Sequence, residues 1–164
     1  MTSADFDPNT PRYSPPPAGS PQRPYVHPGS LSTRFFARLI DGILVNIVVF
    51  VLTLFFFPDY WGLVTGLFSG VLMFGYFVLF EVTQGASLGK RLLGLSVLGP
   101  GGLPRPTASQ SAIRNSFTLL AVVPYVGPLL AFIAYVVIAV TINASPCKQG
   151  KHDELAGGTQ VIKR

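Results

Sequence analysis

A single cysteine, Cys147, stands in the 164 residues, so the chain has no internal disulfide and no paired-thiol redox or metal site. Its two histidines, His27 and His152, supply neither a metal-ligand set nor a nucleophile with its base. No metal, no cofactor and no enzymatic activity are expected. Charge is scarce as well: Asp, Glu, Lys and Arg make up 12% of the chain, against about 25% in a soluble domain. The stretch GASLGK at 85–90 is not a phosphate loop. It is one residue short between its glycines and continues with Arg91 where Ser or Thr is needed.

What fills the space left by charge is apolar sequence. Residues 39–57, 62–80 and 115–143 are long and almost uncharged, each near or above the roughly 20 residues that cross a bilayer as a helix. The expected fold is an all-α membrane protein of three to four transmembrane or re-entrant helices. Helices are expected at about 33–57, at about 62–83, and at about 109–123 with 129–143. Ser30 or Ser32 is placed to cap the first. Pro58 ends it, and Tyr60 with Trp61 suits a membrane surface. The second carries Gly62, Gly66 and Gly70 at spacing four, a small-residue face on which helices pack closely in lipid. GPGG at 99–102, after LSVL at 95–98, reads as the turn of a small cytoplasmic β-hairpin over about 94–107.

Residues 1–30 differ in kind. Eight of them are proline and none forms an apolar run, so this segment is expected to be a disordered cytoplasmic tail ahead of a membrane domain at 31–164. The chain opens without a secretory signal pattern, so the first helix is expected to direct insertion.

The net charge of +5 bears on topology rather than on nucleic acid, which is not an expected partner. Arg34 precedes the first apolar stretch, and Lys90, Arg91, Arg105 and Arg114 follow the second, while the turn between them has no Lys or Arg. The positive-inside rule places the N-terminus and the 84–114 segment in the cytoplasm, for a multi-pass protein of the cell membrane. Residues 115–143 allow two topologies. One long span puts Lys148, Lys151, Lys163 and Arg164 outside, against the rule. VPYVGP at 123–128 favours a break and a hairpin that returns to the cytoplasm.

Polar groups inside the apolar segments mark a candidate site. Arg38 and Asp41 share a helix face at i,i+3 and are expected to pair. Glu81, near the cytoplasmic end of the second helix, is expected at the depth of Arg38. Arg114 and Asp153 join the cluster if 115–143 is a hairpin. Such a cluster is either a buried ion network that holds helices in register or an ion site, since intramembrane carboxylates line ion paths. Asn46, just beyond Asp41, favours the second. The otherwise apolar run 43–57 favours the first, because a path needs polar groups along its length.

The segments ARLIDGIL at 37–44, YFVLFE at 76–81, GASLGKRLLGLSV at 85–97, IRNSF at 113–117 and KHDELAGGTQVI at 151–162 resemble, in order, the RDD family of small multi-pass membrane proteins. The resemblance maps the family's arginine to Arg38 and its two aspartates to Asp41 and Asp153. It also assigns motif positions to Gly85, Ser87, Gly89, Lys90, Gly157 and Thr159. The chain departs from the pattern at Glu154 and in an extra glycine, AGGT, so the strand after Asp153 is expected to be shifted or bulged. The resemblance implies an accessory, structural or assembly subunit, with ion-coupled sodium/proton transport by an oligomer as the alternative. Expected partners are the lipid bilayer and other membrane proteins or further copies of the chain.

Overall fold

A computed structural model describes residues 27–56, 61–123 and 125–164, of which 61–68 by backbone alone. The proline-rich stretch up to residue 26, most of the expected turn at 58–61, the packing of Gly62 and Gly66, and Pro124 lie outside the described residues.

Helix α1 (Leu31–Phe56) starts where Ser30 Oγ accepts from the Thr33 amide at 3.1 Å, the capping expected of a serine there. Helix α2 (Trp61–Gln84) ends at Gly85, whose φ of 70° is the left-handed conformation that closes a helix and suits glycine. Arg91 donates to the Gln84 side chain and Arg105 to the Thr83 carbonyl, which supplies donors to that helix end. A short helix α3 (Leu88–Leu92) leads into strand β1 (Leu95–Leu98). Helix α4 (Ala108–Asn115) opens with a reciprocal capping box between Thr107 and Gln110. It continues as a 3-10 segment, Ser116–Val122. Helix α5 (Gly127–Ala144), the short helix α6 (Lys151–Leu155) and strand β2 (Gln160–Lys163) complete the order.

Among the described residues helices dominate, with one small antiparallel sheet, as expected in kind. The pairing is different from the expected hairpin over 94–107. Strand β1 pairs with β2 at the far end of the sequence, from Leu95 opposite Lys163 to Leu98 opposite Gln160. The 99–107 segment is instead a 3-10 turn followed by the cap of α4. The tail boundary also shifts. Pro28 bridges Ile162, the Gly29 amide donates to the Val161 carbonyl at 3.0 Å, and the Lys163 amide donates to the His27 carbonyl at 2.9 Å. Residues 27–30 therefore belong to the folded unit. Ala37 of α1 packs on Leu95, Val97 and Val161 of the sheet in one buried cluster.

The 115–143 region is broken rather than continuous. The 3-10 segment packs against both α2 and α5. At Gly70 of α2 an added Cβ would lie 2.6 Å from Val122 Cγ2 and 3.2 Å from the Val122 amide nitrogen. Gly70 thus serves a contact within the chain. Since α4 and α6 are in contact through Arg114 and Asp153, the chain leaves and returns to one end of the structure between them, as the hairpin expectation has it. By length and composition α1 and α5 can each cross a membrane, and α2 is apolar over Ser69–Gln84. Phe50, Leu54 and Phe55 on α1 and Phe132, Val137 and Val140 on α5 are among the large apolar side chains left exposed, a surface suited to lipid.

Candidate functional site

Three carboxylates, Asp41, Glu81 and Asp153, are wholly inaccessible, and each is held by a different set of donors.

Asp41 faces the start of α3. Its Oδ1 accepts from the Tyr76 hydroxyl at 2.6 Å and from the Gly89 amide at 2.7 Å, and its Oδ2 from the Ser87 hydroxyl at 2.5 Å. Gly89 is required by this approach: an added Cβ would run into the Ala37 carbonyl and stand 3.0 Å from the Asp41 carboxyl. The GASLGK residues Gly85, Ser87, Gly89 and Lys90 are thus a carboxylate cradle and its flanks. Gly85 turns the chain and its carbonyl accepts from the Val97 amide at 2.7 Å.

Glu81 is the second centre. It pairs with Lys90 through Oε1, and its Oε2 accepts from Ser111 at 2.8 Å and from the Asn115 amide at 3.0 Å. Asn115 Oδ1 in turn accepts from Arg38 Nη2 at 3.1 Å. Burial pushes the Lys90 ammonium down to about 8, with Glu81 acting in the other direction, so Lys90 stays charged at neutral pH.

Asp153 is the third. Arg114 Nε lies 3.0 Å from Oδ1 and Arg34 Nη1 3.6 Å from Oδ2, while Thr159 Oγ1 donates to Oδ1 at 3.1 Å. Arg34 also donates to the Gly29 and Val161 carbonyls at 3.0 Å each, tying α1 to the sheet. Burial alone raises the Asp153 carboxyl, but the Arg114 and Arg34 guanidinium groups and the Gly150 amide outweigh it and hold the group below its ordinary value. Burial pushes His152 down to about 3, so this imidazole is neutral at physiological pH.

The expected pairing of Arg38 with Asp41 is corrected. Among the described residues Arg38 makes no ion pair. Its guanidinium sits 4.4 Å from the Phe77 ring centroid and 5.0 Å from that of Phe117, stabilised by the ring faces. Glu81 does lie near the level of Arg38, joined to it through the Asn115 amide. Arg114 and Asp153 meet, as expected if 115–143 turns back. The extra glycine after Asp153 is absorbed by Gly157 and Gly158, at φ 86° and 91°, and Thr159 still reaches the Asp153 carboxyl.

Sequence reasoning missed Tyr76, Ser111 and Asn115 as carboxylate donors and Arg34 as an ion-pair partner. The neutral donors carry no charge to flag them, although YFVLFE and IRNSF contain two of them. Arg34 precedes Arg38 by one helical turn, the signal that could have put it on the face of the cluster.

A family model described as the RDD family matches residues 28–157. The match ends at the first glycine of AGGT, where the chain departs from the family pattern. No curated protein and no solved structure gives a significant match.

Proposed function

Because the chain belongs to the RDD family, its match covering residues 28–157, we propose that it is a multi-pass protein of the cell membrane acting as an accessory, structural or assembly subunit, without enzymatic activity. The buried charges are its internal framework, and its exposed apolar helix faces meet lipid and other membrane proteins or further copies of itself. The N-terminus and the small sheet lie on the cytoplasmic side.

One observation carries this: every oxygen of Asp41, Glu81 and Asp153 already has a donor or cation from the same chain. A carboxylate left alone at mid-membrane would cost on the order of 3 kcal/mol on insertion scales; the donor sets remove that penalty and fix α1, α2, α3, α4 and α6 relative to one another. A transported cation would have to displace these donors. Asn46, the polar residue beyond Asp41, has its amide on the Gly42 carbonyl at 2.8 Å and its oxygen accepting from Ser69 at 3.3 Å. Further along the buried face, Thr53 bonds back to the Val49 carbonyl at 2.8 Å. These polar groups are engaged locally and do not extend a path.

Reconstitution of the purified chain into vesicles tests the proposal. Sodium- and proton-dependent flux should match empty vesicles, while Asp41→Asn lowers the melting temperature, because an amide replaces a carboxylate that accepts three hydrogen bonds. Saturable flux in the parent, abolished in an Asp41→Asn variant of unchanged melting temperature, would establish the ion-coupled alternative instead.

A further inference from the structure

Between α1 and α5 runs a cleft of about 610 Å³. Its two long walls are apolar: Phe35, Leu39 and Ile43 from α1, Phe132, Val136 and Ala139 from α5. Its charged lining comes from Arg34, Arg38, Lys90 and Arg114, with neutral His152 beside them and no Asp or Glu among the lining residues. Glu81 and Asp153 lie behind this basic surface and pair with three of the four cations. One positive charge is therefore left over around the cleft, since four cations meet three buried carboxylates, Asp41 included, and Arg38 is the cation without an ion pair among the described residues. Arg38 Nη1 and Arg114 Nη1 are buried without a hydrogen-bond partner among the described residues. Buried guanidinium donors left unfilled are costly, and an anionic group satisfies them with charge-assisted bonds.

We propose that this cleft binds an anionic phospholipid, with its phosphate on Arg38 and Arg114 and an acyl chain lying between α1 and α5. The chemistry of the walls selects this occupant. A free anion would leave the apolar groove unfilled, and a zwitterionic lipid would bring its own cation into a site with surplus positive charge. A basic pocket at the end of apolar helices is the arrangement by which membrane proteins hold acidic headgroups. The inference stands apart from the accessory reading above, since a transporter with the same cleft would bind the same lipid.

The test uses the purified full-length chain in a neutral detergent, titrated with phosphatidylglycerol, phosphatidylcholine or inorganic phosphate. Bound lipid is read by native mass spectrometry and by the shift in melting temperature. Phosphatidylglycerol should bind roughly tenfold or more tightly than phosphatidylcholine, and inorganic phosphate alone should give little shift. Arg38→Gln should remove most of the preference for phosphatidylglycerol. Ala139→Trp, which fills the groove while leaving every cation in place, should weaken both lipids and leave the lipid-free melting temperature near that of the parent. Equal binding of the two lipids overturns the proposal, as does a full shift from inorganic phosphate alone. The comparison of ligands on the parent chain decides the matter even if either variant folds poorly.

Discussion

Asp41 and Asp153 are equally buried carboxylates stabilised in opposite ways. Asp41 has dipoles: a phenol, a hydroxyl and a backbone amide. Asp153 has two guanidinium groups and a hydroxyl. Ion pairs taken out of water gain little net stability, but removing one partner leaves an expensive orphan. His152 adds a titration that can be isolated. Its ordinary value is 6.5 and its value in the fold is about 3, depressed first by burial and then by Arg114, Arg38 and Lys90, with Asp153 opposing. Below pH 6.5 the unfolded chain takes up a proton that the folded one refuses. Stability from this group is complete above 6.5 and falls as pH drops through the window towards 3, by at most about 1.4 kcal/mol per pH unit. Asp153, whose carboxyl lies below 3.8, contributes only in more acid solution. Melting temperatures in detergent should therefore decline between pH 6.5 and 5. In His152→Gln the decline over that interval should flatten; an identical decline in the variant would show that His152 is not the group responsible.

At the scale of elements, glycine placement decides which helices approach. Gly70 and Gly75 both lie within α2, yet only Gly70 is crowded: an added Cβ there meets Val122 at 2.6 Å, whereas at Gly75 nothing lies within 4 Å. Gly70→Ala should destabilise by roughly 1–3 kcal/mol through overpacking against the 3-10 segment. Gly75→Ala should be neutral or stabilising by up to about 1 kcal/mol, because alanine favours helix. Paired thermal melts check this, and equal effects would mean that Val122 yields freely. The contrast also marks what sequence can tell. The i,i+4 glycine spacing identified a packing face, but not whether the chain itself or a partner would cover it. LSVL was legible as a strand, and so was a strand after Asp153; that the two pair was not, because pairing across more than sixty residues depends on how α1, α4 and α6 close the fold. The level of the charges was legible for the same reason that it is conspicuous, since charge in oil is rare. The pairing was not. Arg38 and Asp41 share a helix face, yet two phenyl rings and the Asn115 amide take the guanidinium while α3 takes the carboxylate. Helical spacing fixes where side chains start, and tertiary neighbours fix where they end.

At the scale of the whole molecule, the basic segments that pulled the topology in two directions are gathered into one body. Residues 27–29 pair with β2, β2 pairs with β1, and α4 touches α6 through the Arg114–Asp153 pair. The N-terminal end of α1, the 84–114 segment and the C-terminal residues therefore share one end of the structure. If α1 and α5 cross the membrane as proposed, Lys148, Lys151, Lys163 and Arg164 fall on the same side as Arg91 and Arg105, and the positive-inside bias is met by every basic segment at once. Cys147, exposed just after α5 and the single thiol in the chain, reports directly on this. In intact cells it should be protected from a membrane-impermeant maleimide, and it should label fully once the membrane is permeabilised. Labelling before permeabilisation would put the C-terminal residues outside the cell. Because β2 is hydrogen-bonded to residues 27–29, the N-terminal segment would then have to be outside as well, and the cytoplasmic assignment of both would fall together.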